Sequence, residues 1–327
     1  MRVGIMGTGM MAERALEGFA AAGIACVALL HRPGSHGRAS ELANRFGVPA
    51  IDVDQERFLA RPEIDVVYVA QVNVAHARAA RAVLLAGKHA LVEKPFTSTA
   101  AEATEIAALA KARGLMVWEA IMPRYATTLP QVRAAVAELG ELRYVQANYS
   151  QRSSRYDRFL AGETPPVFDP ALSGGALYDI NVYNIHLVTL LLGQPAAVSY
   201  RANVVRGIDT CGVLTMEYPG ATAICVGAKD CQSPPGMLIQ GTLGYLVMDS
   251  LPHEVSWITV VTDQTASIVA DPVAHQMVPE LTACAAMFAA QDFTTCYADL
   301  DASVAVMGLL ETARHQAGIR FAADTPA

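Results

Sequence analysis

The sequence is short of charge, of basic runs and of organised cysteine. Charged residues make up 17% of its 327 positions, against 53% hydrophobic ones, so there is ample material for buried cores. The formal charge is −7 and no Lys/Arg run appears. That argues against nucleic acid and anionic membranes as partners. The six cysteines (Cys26, Cys211, Cys225, Cys231, Cys284, Cys296) are scattered, without C-x-x-C spacing or nearby histidines. They read as reduced, mostly buried thiols rather than a disulfide or zinc framework, and no metal is expected. No segment reaches the roughly 18 uninterrupted apolar residues of a membrane helix. No internal repeat or low-complexity linker is visible. The start, Met1-Arg2-Val3-Gly4-Ile5-Met6, runs directly into a strand pattern. No signal peptide is expected from it, and the expected location is cytoplasmic.

The length suggests two domains. Val3-Gly4-Ile5-Met6 is a short apolar strand leading into Gly7-Thr8-Gly9-Met10-Met11-Ala12, a G-x-G-x-x-A pattern. Met11, Ala15, Leu16 and Phe19 then fall at helical spacing up to Gly23, and a second strand follows over 24–30. Strand, glycine turn, helix and strand form the context that a dinucleotide fingerprint demands. The first Gly allows the tight turn, the second lets the backbone approach a pyrophosphate, and Ala12 lets helix and strand pack closely. The phosphates rest on the helix N-terminus. NAD-type sites carry an acid about 20 residues further on, to hold the ribose hydroxyls. Here the strand ends Leu30-His31-Arg32-Pro33, with a basic pair instead. An Arg suits a 2′-phosphate, which favours NADP over NAD; the competing reading is a solvated loop arginine.

The alternation continues: a helix over 38–46, a short strand near Ala50-Ile51, a strand over 65–70, and a helix that begins with Gln71-Val72-Asn73-Val74-Ala75-His76. A strand over 89–92, a helix over 102–112 and a strand over 115–118 complete it. This pattern means a parallel, doubly wound sheet. Its hub is Leu91-Val92-Glu93-Lys94-Pro95-Phe96. A charged pair wedged between an apolar strand and a proline is not what a buried strand wants, since Lys and Glu are rarely buried unless paired. In an open α/β sheet, ligands bind at the carboxyl ends of strands. Lys94 therefore stands where a cofactor and a substrate can both reach it; the bland alternative is a solvated ion pair.

After Ala120 the character changes. Residues 124–139 read as a linking helix, with Pro130 near its first turns. Strands are expected over 142–150, 197–204, 210–218, 221–228, 236–241, 244–249 and 255–261, joined by short turns, which means a mostly antiparallel sheet. Two closing helices are expected over 280–291 and 299–318. Residues 150–173 read as a polar loop, whose Arg152, Arg155 and Arg158 suit a solvated surface better than a substrate clamp. One helix interrupts the strands over 174–186. At about 100° per residue, Asp179, Tyr183 and His186 fall within roughly 60° of one face. Three groups able to move or orient protons share that stripe; the alternative is a partly buried polar stripe satisfied by hydrogen bonds.

Gly7-Thr8-Gly9, Asn73-Val74-Ala75-His76, Glu93-Lys94-Pro95 and Trp118-Glu119-Ala120 resemble, in order and spacing, the glucose–fructose oxidoreductase / inositol dehydrogenase / MocA (Gfo/Idh/MocA) family. The resemblance implies an N-terminal Rossmann domain over 1–120 and a C-terminal α+β domain over 121–327, with a large, open, mostly antiparallel sheet. It implies that Lys94 sits beside the nicotinamide and the substrate hydroxyl, before a proline whose peptide bond is often cis. The cofactor site expected on this reading takes in Gly7, Thr8, Gly9, Met10, Met11, His31, Arg32, Ala70, Gln71, Asn73, His76, Glu93, Lys94, Pro95 and Trp118. The family's Gly-Gly-Ala-Leu stretch is followed by an Asp and, four residues on, by a His or Tyr; Asp179 and Tyr183 fit. Phe168-Asp169-Pro170-Ala171-Leu172 resembles the sugar and dihydrodiol dehydrogenase branch, which uses Tyr. The chain departs from the pattern at Asn181, where Gly is usual, and adds His186.

The expectation is an NADP-dependent dehydrogenase, with NAD a possible alternative. Its substrate is a secondary alcohol or hemiacetal carbon of a sugar, polyol or cyclic diol. Lys94 polarises the oxygen, Tyr183 moves the proton, Asp179 holds a neighbouring hydroxyl, Glu93 orients Lys94, and His186 shares the catalytic stripe. Two other readings stay open: a nucleotide-binding regulator that has lost catalysis, and redox-assisted glycoside cleavage with bound NAD. Strands such as Ile224-Cys225-Val226 and Leu246-Val247-Met248 are apolar on both faces. A homodimer or homotetramer through that sheet is therefore expected.

Overall fold

β1 (Arg2–Met6) is buried from its second residue onward, as an apolar run covered on both faces should be. It lies within a six-stranded sheet. Along the chain follow α1 (Met10–Ala21), β2 (Ala25–Leu30), α2 (His36–Phe46), β3 (Ala50–Asp52), α3 (Gln55–Leu59), β4 (Val66–Val69), α4 (His76–Leu85), β5 (His89–Glu93), α5 (Ala100–Arg113) and β6 (Val117–Ala120). The sheet order is β3-β2-β1-β4-β5-β6, with every pairing parallel. This is the doubly wound order of a Rossmann fold, and it reverses between β1 and β4. The segments that leave β1, β4 and β5 therefore emerge at the same end of the sheet. β6 runs two residues later than the sequence suggests, so Glu119 is a buried strand residue. The structure, a computed structural model, describes residues 1–263, 266–270 and 275–325.

The second sheet follows α6 (Leu129–Glu138). It takes β7 (Leu142–Ser150), then, after α7 (Tyr156–Leu160) and α8 (Val182–Leu192), β8 (Ala197–Val205), β9 (Ile208–Tyr218), β10 (Ala221–Ala228), β11 (Gly236–Gly241), β12 (Gly244–Met248), β13 (Ile258–Thr262) and β14 (Ala266–Val269). Its order is β14-β13-β12-β11-β7-β10-β9-β8; β7 and β10 pair in parallel and the other neighbours are antiparallel. The polar stretch 150–173 holds α7 and two 3₁₀ turns rather than a plain loop. The expected linking helix is shortened to α6, because Pro130 sits at its first positions and a separate 3₁₀ turn, Met122–Tyr125, precedes it. The strand expected from Val255 begins at Ile258, since Val255 and Trp257 are left-handed (φ 46° and 53°). β14 was not foreseen.

α9 (Val278–Ala290) and α10 (Phe293–Gln316) close the chain. By contact, the compact units are Met1–Ala120 with Val273–Val304, and Ile121–Pro272 with Ala305–Ala327. The sequence places everything from 121 to 327 in one domain; in the structure α9 and the first part of α10 belong with the parallel sheet. The reason is packing against α1. A Cβ on Gly18 would meet Leu281 Cδ1 and Met277 Cβ, each at 3.1 Å, so the glycine opens the groove that α9 fills. The expected boundary at 327 lies outside the described residues. Among those described, no helix is long and apolar enough to cross a membrane.

Candidate active site

In the first unit the glycine turn is forced by its surroundings. Gly7 has φ 128°, and a Cβ there would run into the carbonyl oxygen of Ala70 at the end of β4. Gly9 is the N-cap of α1, and no side chain caps that helix start. Thr8 and Met11 are half-buried, Gly9 and Met10 exposed. The first N–H groups of a twelve-residue helix are thus presented outward, which suits a pyrophosphate. Arg32 is exposed, its Nε 3.4 Å from Ser35 Oγ. His31 is buried instead: its Nδ1 lies 2.9 Å from Arg32 O, and its ring meets that of His36 edge-on at 5.2 Å. His31 shapes the turn, whereas Arg32 keeps its side chain exposed.

The Lys94–Pro95 peptide is cis, and side chains hold the backbone around it. Lys94 N donates to Glu93 Oε2 at 3.2 Å, and Phe96 N donates to Glu119 Oε1 at 3.0 Å. The Pro95 carbonyl lies 2.9 Å from His76 Nδ1, whose Nε2 is 3.1 Å from Gln71 O. His76 therefore ties the segment after β4 to the turn after β5. Tyr68 Oη donates to Glu93 Oε1. Burial pushes the Glu93 carboxyl above the usual carboxylate range, against the Tyr68 bond and the nearby Lys94 charge. Burial likewise holds His76 below its ordinary value. Glu93, Glu119, His76 and Tyr68 are buried and Lys94 is half-buried. Among the expected cofactor residues, His76 and Trp118 are fully buried, so they stand behind the surface rather than on it. Ala70, Gln71 and Asn73 are half-buried beside the same turn.

In the second unit the expected single helix is two pieces. Leu177–Asn181 is a π turn, which continues as α8. The i→i+5 bonding of such a turn inserts an extra residue, so the stripe is not straight. Asp179 keeps 29% of its side chain exposed, Tyr183 is 8% exposed and His186 fully buried. The glycines before the turn have a steric cause. A Cβ on Gly175 (φ 103°) would run into Asp209 Oδ1. Asp209 Oδ2 accepts the Leu177 N–H at 2.6 Å and the Tyr200 hydroxyl at 2.8 Å. Behind the turn, Tyr178 meets Phe321 edge-on at 4.8 Å, and Arg314 lies over Phe321 at 4.2 Å while bonding both oxygens of Asp324 at 2.6 Å. The turn that carries Asp179 is pinned at its start and on its back.

Two neighbours were missed from the sequence. Lys229 Nζ forms an ion pair with Asp179 Oδ2. His253 lies in the segment after β12, its ring 5.3 Å from that of Tyr183 and 5.6 Å from that of Tyr149; Tyr149 and Tyr183 are 5.9 Å apart. Lys229-Asp230 follows the apolar strand β10 as Glu93-Lys94 closes β5, and that signal was available. His253 has none, because strand order alone brings it to Tyr183. Two of the three loop arginines are engaged at the surface: Arg152 with Asp157 at 2.6 Å and Arg158 with Glu163 at 2.8 Å.

Residues 1–121 match the family model described as the oxidoreductase family with NAD-binding Rossmann fold, GFO_IDH_MocA, and residues 130–247 match the GFO/IDH/MocA C-terminal domain. The scyllo-inositol 2-dehydrogenase (NADP(+)) of Bacillus subtilis is 32% identical over 253 residues, 77% of this chain and 76% of that protein. The trans-1,2-dihydrobenzene-1,2-diol dehydrogenase of Sus scrofa is 30% identical over 188 residues, 56% of this chain and 54% of that protein. A 3-ketoreductase from Actinomadura kijaniata, solved in complex with NADP and TDP-benzene, is similar with a TM-score of 0.82 at 25% identity, over 98% of each chain.

Proposed function

The chain belongs to the Gfo/Idh/MocA oxidoreductase family, and from that premise we propose that it is an NADP-dependent dehydrogenase of sugars, polyols or cyclic diols. It acts on a secondary alcohol or hemiacetal carbon. The observation that carries this reading is the turn after β5. A half-buried lysine stands on a backbone held by three buried titratable side chains, Glu93, Glu119 and His76. Such a lysine springs from a fixed backbone, which suits a group that positions a reacting oxygen.

The residues of the first unit fit the cofactor. The uncapped start of α1, over Thr8 to Met11, suits the pyrophosphate, and the exposed Arg32 suits the 2′-phosphate. When bound, nicotinamide supplies the hydride chemistry. Oxidation of a secondary alcohol removes a hydride from carbon and a proton from oxygen, and the protein handles the second. Lys94 polarises that oxygen. Tyr183 takes the proton on its phenolic oxygen in oxidation and returns it in reduction. Asp179 accepts a hydrogen bond from a neighbouring hydroxyl, and Glu93 orients Lys94. His186, fully buried, supports the helix under Tyr183.

The protein is also proposed to assemble as a homodimer or homotetramer through the eight-stranded sheet. The row Ile224, Gln146, Leu238, Val247, Thr259 and Ile268 runs in register across one face, and Ile268 is 72% exposed. The opposite face at Cys225, Leu246 and Met248 is buried.

A screen of sugars, polyols and cyclic diols at 340 nm with each cofactor tests the function. NADP-linked turnover of a member of these classes is expected. Glycoside cleavage with no net change in reduced cofactor would contradict it.

A further inference from the structure

We infer that Lys229 determines which substrates are accepted, by holding Asp179 as an ionised acceptor for a hydroxyl on the carbon next to the reacting one. The inference rests on the reading of Asp179 given above and adds to it a residue and a substrate feature, the vicinal diol.

Lys229 is the first residue after β10, and its backbone is locked on two sides. Its N–H donates to Thr210 O at 2.8 Å, and its carbonyl accepts from Ser153 N at 2.9 Å. Its side chain is 10% exposed and ends in the ion pair with Asp179 Oδ2. A lysine buried to this degree is tolerated when it is paired. Asp179 is fixed from its own side, since its N–H bonds Gly175 O at 3.0 Å within the turn that Asp209 anchors. Two rigid segments thus bring the charges together, while the carboxylate keeps part of its surface open.

The chemistry follows from the charge state. An ionised carboxylate only accepts hydrogen bonds; a protonated one also donates. The ion pair engages one carboxylate oxygen of Asp179 and leaves part of the group open to a donor. An Asp179 held this way welcomes a hydroxyl and disfavours a carbonyl, ether or methylene at the same place. A site built to bond a substrate hydroxyl rejects the analogue without it far more strongly than an apolar pocket rejects a missing methylene. Without Lys229 the carboxylate loses the partner that fixes its direction, and the distinction fades.

The test compares kcat/KM for a vicinal diol oxidised with NADP and for its monodeoxy counterpart, which lacks the hydroxyl next to the reacting carbon. The unmodified protein is expected to prefer the diol by about a hundredfold or more. Lys229→Met should cut that ratio to about tenfold or less, through loss on the diol, with the deoxy compound changed by less than about threefold. Lys229→Arg, which keeps the charge, should retain most of the ratio. A ratio that stays unchanged in Lys229→Met while both substrates fall together would overturn the inference and leave Lys229 a structural cation. Should Lys229→Met fail to fold by circular dichroism, Lys229→Gln, which keeps a polar end without the charge, carries the test: the ratio must fall there too, and its persistence overturns the inference. Equal turnover of diol and deoxy compound by the unmodified protein sinks the inference but leaves the dehydrogenase reading standing. Turnover of neither, nor of any other panel member, contradicts that reading, and the inference falls with it.

Discussion

The Cβ of Asn181 lies 2.5 Å from the point where a Cβ on Gly227 would stand. The bulk of one residue in the π turn is matched by the missing side chain of the other on β10. Asn181 is fully buried, and its Nδ2 donates to Cys225 O at 3.1 Å. Its Oδ1 accepts from Asn184 Nδ2 at 2.8 Å, which also donates to Val226 O at 2.9 Å. The turn that carries Asp179 is thereby stapled to the strand that ends at Lys229.

Gly227→Ala should therefore lower stability by roughly 1–3 kcal/mol, the usual range for overpacking. Adding Asn181→Gly should recover part of that loss, so the two changes couple in a double-mutant cycle of urea denaturation. Strict additivity would show that the contact does not constrain the fold.

His76 gives a pH dependence with a definite sign. Burial holds the folded imidazole below its ordinary value of 6.5, so the unfolded chain binds the proton more readily. Its contribution to stability is present above that value and is lost as pH falls through and below it. Thermal unfolding of the unmodified protein should lose stability between about pH 7 and pH 5, and His76→Gln should lose less over the same range. Parallel pH profiles for the two proteins would count against the assignment.

Arg32 should decide cofactor choice. NADP(H) is expected to bind tighter than NAD(H), and Arg32→Ala should erase roughly 1.5–3 kcal/mol of the preference, about a tenfold to hundredfold change in Kd. Titration calorimetry reads both cofactors directly. Equal affinity in the unmodified protein would refute the idea.

The apolar face of the second sheet should be covered by another copy of the chain. Light scattering at micromolar concentration should report at least a dimer, and Ile224→Lys with Val247→Lys should shift the population toward monomer. A monomeric unmodified protein would contradict the proposed assembly.

Much of the first unit was legible because its constraints are local. Gly7 and Gly9 mark the turn, the spacing of Ala15, Leu16 and Phe19 marks α1, and Thr99 with Glu102 forms a capping box for α5. The second unit was legible as strands, since period-two alternation and short turns are local too. What escaped depends on contacts remote in sequence. The π turn takes its form beside Asp209, Cys225 and Gly227, and nothing between 174 and 186 announces it. α9 joins the first unit through a groove opened by Gly18, more than 250 residues earlier. Val255 reads as a strand residue by composition, yet it sits left-handed, where a β-branched side chain is strongly disfavoured; Thr128 Oγ1 bonds its carbonyl. Of the candidate stripe, the sequence shows Asp179 and Tyr183 but not that His186 lies beneath the surface, because a helical wheel carries no depth.

The central claim is that Tyr183 moves the proton in an NADP-linked oxidation of a sugar-like alcohol. It is tested most directly by turnover at 340 nm for the unmodified protein, Tyr183→Phe and His186→Asn on one substrate, with NADPH binding followed by fluorescence. Tyr183→Phe should cut kcat by about 10²–10⁴ and leave cofactor binding unchanged, while His186→Asn costs much less. An active Tyr183→Phe beside an inactive, folded His186→Asn would contradict the account and exchange the two roles.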